Sequence, residues 1–351
     1  MKRLPLCTAV LALAALAPSA RAETDGRDGE VLAYVPNNTV AALGYYRHIT
    51  TSDREPLNIA QNLAFFRAVY VMKFGNVAFV PLDVLLPVSD VSVFTKTAVL
   101  NTSGVGDFVY LPTIAYIHPE GENHTYVLFN PNFTMPTGNY SSDTPLNIGG
   151  NRWVVKPQIG IGQRFLRAFT AEAVGNASFF TDNSEFGVPT ATGIVKSKLT
   201  QDPTLGGEIH LNGDLAKTFY LGVSYYVTAN GKQKLESLNT TLDQPTVQAL
   251  RFSWGIRVEK NTLLLLQYNQ DIAANHEGSI SRWFGARISH SFFEAPEPNT
   301  PTVTAPPPEP PPVPEPVPAV APPPPEPPPS PPPPPMAPAP PPPAPPPAPG
   351  P

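Results

Sequence analysis

The side chains that most often carry out chemistry, histidine, cysteine and serine, are arranged in a way that argues against catalysis. The six histidines lack the spacing of metal ligands, and the one cysteine is Cys7. His290 and Ser291 are adjacent, but neighbours on a β-strand point to opposite faces, so they cannot form the hydrogen bond of a serine–histidine pair. We therefore predict a protein that is not an enzyme, with no catalytic residue, no metal site and no cofactor.

A second group of reactive side chains is charged and lies at alternate positions of strand-like segments whose other face is apolar. Its members are Lys156, Glu172, Arg251, Arg257, Glu259 and Arg287. On a transmembrane strand, an Arg or Lys facing lipid at the midplane costs ~2–4 kcal/mol, so we predict that these residues face inward and line a lumen. There they could bind small polar solutes, or pair with one another in a wet interior.

The elements that position these residues have a period of two. From Leu250 to Val258, for example, apolar residues alternate with polar residues and glycine. A soluble sandwich gives the same alternation with the apolar face inward, so the period alone leaves both folds open. We predict twelve strands, near 40–49, 62–74, 77–94, 106–118, 124–138, 152–165, 167–182, 199–214, 217–233, 246–259, 262–274 and 279–293.

Strand length and loop rhythm favour the membrane. Most predicted strands exceed ten residues, whereas soluble strands average ~5–6 and strands that cross an outer membrane need roughly 9–11. Tight turns alternate with long polar connections, for example those at 139–151, 183–198 and 234–245. Because every backbone polar group must be paired in hydrocarbon, the sheet must close. The predicted fold class is all-β, a transmembrane antiparallel β-barrel of about twelve strands at 40–293.

Two regions flank this barrel in the sequence. Residues 1–22 have the basic, apolar and small-x-small parts of a cleaved signal peptide, and 23–39 is expected to be an N-terminal periplasmic segment. Residues 294–351 hold 34 of the 49 prolines and lack lysine and arginine, so we expect a disordered or polyproline tail in the periplasm. It could contact peptidoglycan or a periplasmic protein, or have no partner. These features indicate a bacterial outer-membrane location.

The connection between the fifth and sixth predicted strands is rich in turn residues and is expected to be a compact extracellular loop. It could form a gate or lid, or only a turn-rich loop with Trp153 as an interfacial anchor. The gate candidates are Thr137, Gly138, Asp143, Asn147, Arg152 and Trp153. Trp254 and Trp283 are also predicted to be interfacial anchors. Phe292 ends the last strand and is the predicted signal for the barrel-insertion machinery.

Three segments resemble a known family. They are Gly104-Val105-Gly106-Asp107-Phe108, Pro136-Thr137-Gly138-Asn139-Tyr140, and the run from Pro145 to Trp153 with Pro157 and Gln158. They are similar to the outer-membrane family named for the meta-pathway of phenol degradation. The resemblance implies an outer-membrane β-barrel, grouped with channels for aromatic or other hydrophobic compounds.

The sequence therefore supports two functions. The first is a channel or transporter for small hydrophobic or aromatic compounds, embedded in outer-membrane lipid. The second is a structural barrel with a closed lumen, whose tail tethers the membrane to the cell wall or to a periplasmic partner. Residues 23–293 carry 20 basic and 23 acidic residues, interleaved along the chain, so no nucleic-acid partner is expected.

Overall fold

The computed structural model describes residues 27–52, 58–95, 99–120, 123–190, 192–275 and 280–292. The predicted signal peptide and proline-rich tail lie outside these residues. The described part of the chain contains no helix long and apolar enough to span a membrane.

The described residues form a closed antiparallel barrel. The elements are α1 (Asp28–Tyr34), β1 (Thr39–Ser52), β2 (Asn58–Phe74), β3 (Val77–Phe94), β4 (Val99–Val105), β5 (Phe108–Tyr110), β6 (Thr113–Glu120), β7 (Asn123–Met135), β8 (Val154–Phe165), β9 (Phe169–Phe180), β10 (Asn183–Thr190), β11 (Gly193–Gln201), β12 (Thr204–Ala216), β13 (Phe219–Ala229), β14 (Gln233–Leu235), β15 (Thr240–Leu242), β16 (Thr246–Glu259), β17 (Thr262–Ala274) and β18 (Ile280–Phe292). β1 pairs with β2 on one side and with β18 on the other, which leaves no edge. The predicted transmembrane β-barrel is confirmed, with twelve wall strands in the described ranges when β4, β5 and β6 are counted as one.

The fourth wall strand is longer and more broken than its predicted range of 106–118. β3 pairs in turn with β4, β5 and β6. At the first break, the Gly106 amide donates to the carbonyl oxygen of Pro87 at 2.8 Å. A Cβ on residue 106 would lie 2.7 Å from Cγ of Pro87, so the absence of a side chain permits this close approach.

Two predicted long connections are not simple loops. In the first, β10 pairs with β11, and in the second β14 pairs with β15; β11 also pairs with β14, so the four strands form a separate sheet. The predicted strand at 199–214 is therefore wrong at its start, since Leu199 belongs to this sheet and the wall strand β12 begins at Thr204. Val188, Leu199 and Leu235 form a small apolar core in this sheet.

The barrel wall has its apolar side outward and its polar side inward. Phe66, Ile159 and Phe284 are each more than 60% exposed on the outer surface. In contrast, Arg251, His210 and Asn269 are at most 1% exposed on the inner surface. This arrangement is the reverse of a soluble protein and fits a barrel surrounded by hydrocarbon.

A short helix that the sequence analysis did not predict lies against the inner wall. α1 falls in the segment expected to be periplasmic and contacts β6, β7 and β8. Leu32 packs in an apolar cluster with Val71, Ala78, Val80, Ala115, Tyr126 and Leu128. The ion pairs of α1, described below, are with residues near the tight-turn ends of β8 and β12, so the helix lies at the tight-turn end of the lumen.

Candidate functional site: the barrel lumen

One row of cross-strand neighbours runs around the inside of the barrel. Directly paired residues share a face of the sheet, so a single register places residues from eight wall strands side by side. In order from β7 to β18 the row is Tyr126, Gly162, Glu172, His210, Ser224, Arg251, Asn269 and Trp283. The side chains of this row are buried, and the row is called the central belt below.

Direct contacts connect the members of this belt. The hydroxyl of Tyr126 donates to Oε2 of Glu172 at 2.5 Å, and Nδ1 of His210 lies 2.8 Å from Oγ of Ser224. The Tyr126 ring reaches Glu172 across Gly162, where a Cβ would lie 2.1 Å from Cζ of the ring. The belt is therefore a hydrogen-bonded layer in which one glycine leaves room for the aromatic ring.

Arg251 is the largest fully buried side chain among the described residues. Its guanidinium carbon lies 4.3 Å from the ring centre of Tyr226 and 4.8 Å from that of Trp283. The guanidinium carbon of Arg47 also lies near Trp283, 4.4 Å from its ring centre. Cation–π contacts of this kind are stronger when they are desolvated.

The prediction of Trp283 as an interfacial anchor is wrong. Trp283 is 5% exposed and lies inside the barrel, because its position in the alternation places it on the polar face.

The six predicted lumen residues fall into two groups. Lys156, Glu172, Arg251 and Arg287 are buried on the inner face at 6%, 2%, 0% and 7% exposure. Arg257 and Glu259 are exposed at the tight-turn end of β16, next to a register shift. The structure places Glu172 and Arg251 in one belt and does not bring the other candidates into it.

A closed ring of four charges fixes α1 to the wall. Arg27 contacts Glu30 at 2.9 Å and Asp214 at 2.7 Å, and Arg164 contacts Glu30 at 2.5 Å and Asp214 at 2.8 Å. The signs alternate around this charge ring, and the Glu30 side chain is fully buried. Charge-assisted contacts between buried groups are strong only while all partners are present. Sequence analysis missed all four residues, since no periodic pattern marks α1.

Gly29 and Tyr34 complete the seat of α1. A Cβ on Gly29 would lie 2.3 Å from the Tyr126 ring, so the helix approaches the wall closely only because this residue is glycine. The Tyr34 ring meets His124 edge to face at 5.2 Å. Burial raises the pKa of the Tyr34 phenol, although nearby Arg164 opposes this shift. The phenol is therefore neutral in the docked helix at physiological pH.

At the opposite end, residues 139–151 fold into the compact loop that the sequence indicates. Asn147 closes the loop by accepting from the Ser141 amide at 2.7 Å and donating to the Ser141 carbonyl at 3.0 Å. Asp143 is exposed at the tip. Leu146 and Ile148 are buried against Ile59, Val91 and Val93 of the inner wall. This segment is called the inner loop below.

Arg152 and Trp153 directly follow the inner loop, and their side chains lie on opposite faces of the barrel wall. Nη2 of Arg152 donates to Oε1 of Gln201 at 2.7 Å, and its guanidinium stacks 4.6 Å from the Phe180 ring. Burial lowers the pKa of Arg152 to about 10, and nearby Asp107 partly offsets this shift. Trp153 is 46% exposed on the outer face.

Two candidates of other kinds lie on the last strand. Phe292, the predicted insertion signal, is 58% exposed and pairs with Val40 where the barrel closes. Nδ1 of His290 lies 2.8 Å from Oγ1 of Thr262 on the neighbouring strand. The described residues contain no group of three or more His, Cys, Asp or Glu that could hold a metal ion.

Comparisons with known proteins agree with this architecture. The family model described as "Putative MetA-pathway of phenol degradation" matches residues 32–284. The chain belongs to this family. Among solved structures it is similar to the COG4313 outer membrane channel from Pseudomonas putida F1, with a TM-score of 0.68 and 23% identity over 77% of this chain and 100% of that chain. A weaker likeness is to the TodX monoaromatic hydrocarbon channel deltaS2 mutant, with a TM-score of 0.48 and 8% identity over 76% of this chain and 93% of that chain. No curated protein matches the sequence.

The three segments that resemble the phenol-degradation family meet around one carboxylate. Asp107 accepts from the Gly138 amide at 2.9 Å and from the Gly150 amide at 2.7 Å. The Phe108 amide donates to Oγ1 of Thr137 at 3.0 Å, which joins the same segments a second time. A Cβ on Gly138 would lie 2.7 Å from the backbone carbon of Gly106, so this packing requires glycine. Asp107 therefore anchors both ends of the inner loop, a role that sequence analysis did not assign.

We expect Asp107→Asn to loosen the inner loop without unfolding the barrel. An asparagine keeps one acceptor oxygen but turns an NH₂ group toward the second glycine amide, so at least one hydrogen bond is lost. Amide exchange at Gly138 and Gly150 should accelerate roughly tenfold, as loss of about 1–2 kcal/mol predicts. Asp143→Asn, in the exposed tip, is the matched control. Unchanged exchange in Asp107→Asn would show that the carboxylate does not anchor the loop.

Proposed function

We propose that this protein is an outer-membrane channel for small hydrophobic or aromatic compounds. The observation that carries the proposal is α1, which occupies the lumen without being part of the wall. A helix held by a charge ring can leave while the barrel stays closed, because α1 contributes no strand to the wall. A gated channel needs such a removable plug, whereas a solid structural barrel does not. Membership of the family described by phenol degradation supports the solute class.

The proposed pathway has a barrier at each end. The inner loop covers the long-loop end and α1 fills part of the tight-turn end, so a solute passes only if both move. Lys156, Glu172, Arg251 and Arg287 would line the passage between them. The inner loop, with Asn147, would act as its lid together with the adjacent Thr137, Gly138 and Arg152. Neither barrier contributes a strand to the closed wall.

Single-channel recording tests this function. Full-length protein in planar bilayers should show discrete current steps that are brief while α1 is docked. Variants that release α1 should prolong them, as argued in the Discussion. If folded wild type and folded release variants all fail to conduct, the channel proposal is wrong and the closed-lumen alternative gains support.

We propose that the long loops face the cell exterior and the tight turns face the periplasm, as export by a cleaved signal peptide would require. An Asp143→Cys variant should then react with an impermeant thiol reagent on intact cells, and a Lys217→Cys variant should react only after the cells are opened. Both positions are exposed, so accessibility of the side chain does not distinguish them. Labelling of Lys217→Cys on intact cells would refute this orientation.

A structural role is the second candidate, and one observation favours it. Arg251 and His210 have no exposed surface, so the central belt is closed where they lie. A closed barrel could serve as an anchor, with the proline-rich tail reaching peptidoglycan or a periplasmic protein. At ~3.1 Å per residue, a polyproline segment of this length could span roughly 150–180 Å.

Truncation after Phe293 separates the tail from the barrel. Because the described wall closes between β1 and β18, the truncated chain should still insert through the barrel-insertion machinery and keep its heat-sensitive gel mobility. Only the full-length chain should co-sediment with cell wall. Loss of insertion would place the tail in the folding unit, and equal sedimentation of both chains would remove the tether.

A further inference from the structure

The inner wall of β2 and β3 changes from polar to apolar near its long-loop end. Gln61 and Ser89 form a buried hydrogen bond of 2.9 Å on this face. Just above them, Ile59 pairs with Val93, and Val91 pairs with Gln61. Ile59, Val91 and Val93 are 6%, 7% and 0% exposed. These three residues form an apolar patch near the long-loop end of the inner wall, separate from the apolar cluster that seats α1 at the tight-turn end.

Two side chains of the inner loop cover this apolar patch. Leu146 and Ile148 pack on it, with Leu100 of β4 at its edge. They are separated by Asn147, whose side chain turns back into the loop and bonds Ser141. The two aliphatic groups are thus presented together on one side of the loop.

Polar contacts hold the loop at its base and at Tyr140, whose hydroxyl donates to the Glu185 carbonyl at 3.0 Å, rather than at the patch. The Asn139 amide donates to the Val105 carbonyl at 2.8 Å, and the Gly149 amide donates to the Asn139 carbonyl at 2.9 Å. Asp107 holds the adjacent Gly138 and Gly150. Polar contacts therefore fix the base of the loop, whereas apolar contact alone holds Leu146 and Ile148 on the patch.

We propose that the apolar patch is a binding site for a small apolar or monoaromatic solute, and that Leu146 and Ile148 occupy it when no solute is bound. The patch and its covering residues include no charged side chain, so a neutral ligand fits best. Together, the two covering side chains contain about as many carbons as toluene. A solute of that size could replace them and free the loop while the base contacts remain. This inference deepens the proposed channel function, but binding itself does not require conduction.

Hydrogen exchange in the presence of toluene tests the site on the full-length protein in lipid nanodiscs. Toluene should raise the exchange of amides 139–149 in a saturable way. In a Leu146→Ala/Ile148→Ala variant, the toluene concentration that gives half-saturation should fall about tenfold, because smaller side chains compete less well with toluene for the patch. The Val91→Thr/Val93→Thr variant preserves the shape of the patch but adds hydroxyls to an apolar site. In this variant the toluene concentration that gives half-saturation should rise about tenfold. Ile159→Ala, on the outer wall, should behave like wild type.

Folding of each variant is checked by heat-sensitive gel mobility, and Leu100→Thr at the edge of the patch replaces the double threonine variant if that one does not fold. The proposed site is wrong if toluene does not change exchange in the wild type. It is also wrong if the wild type and the threonine variants respond equally to toluene. Conductance distinguishes the two proposals. Saturable toluene binding in a barrel that never conducts would refute the channel and support the site. Conduction without a response of exchange to toluene would refute the site and support the channel.

Discussion

A Glu30→Gln variant should spend about ten to a hundred times longer in conducting states than the wild type. Glu30 is fully buried and contacts both Arg27 and Arg164, so removal of its charge leaves two arginines sharing only Asp214. Breaking one partner out of a buried ionic network costs about 3–5 kcal/mol. Water at the tight-turn end relieves part of that cost. A net shift of about 1.4–2.8 kcal/mol in the equilibrium between docked and released α1 corresponds to the expected ten- to hundredfold change. Single-channel recording in planar bilayers measures it.

A second release variant depends on shape rather than charge. Gly29→Val places a side chain where a Cβ would already lie 2.3 Å from the Tyr126 ring, so α1 cannot stay seated. This variant should prolong openings in the same way as Glu30→Gln. The matched control is Asp243→Asn, which removes an exposed ion pair with Lys232 at 3.1 Å and should leave conduction unchanged. If both release variants fold but gate like the control, α1 is not the plug.

The wall could be predicted from sequence because lipid imposes a clear pattern. Along β16, Phe252, Trp254 and Ile256 must face hydrocarbon, so Arg251 and Arg257 necessarily share the opposite face. The alternation reveals the face of a residue but not its depth along the barrel. Depth depends on register, and register placed Arg251 in the central belt and Arg257 at the exposed tight-turn end. Trp283 was misplaced for a related reason: its residue type suggested an interface, while its position in the alternation placed it inside.

The plug could not be predicted in this way. α1 has seven residues, too few for a helix that is stable by its own propensity, so its structure depends on docking to the wall. Its charge partners, Arg164 and Asp214, are far away in sequence and meet only after the barrel closes. Asp107 was missed likewise, since its role depends on backbone amides that the chain brings to it from residues 138 and 150.

Arg251→Ala should lower the free energy of unfolding by about 3–5 kcal/mol. The guanidinium is fully buried between the rings of Tyr226 and Trp283, and alanine would leave both a cavity and polar neighbours without their partner. Arg251→Lys keeps the charge but loses the planar stacking surface, so it should fall between alanine and wild type. Urea unfolding in lipid vesicles, followed by tryptophan fluorescence, measures the change.

Arg257→Ala is the control for this prediction, because it changes the same residue type on the same strand. Its side chain is exposed, so the change in unfolding free energy should stay within about 0.5 kcal/mol. A barrel in which both substitutions have the same small effect would mean that the central belt is hydrated and adaptable. A large loss at Arg251 alone would mean that the belt is a rigid layer. In that case we expect a solute to pass away from Arg251 and Trp283, along the part of the wall that α1 contacts on β6, β7 and β8, because a packed layer of this kind does not open without a loss of stability.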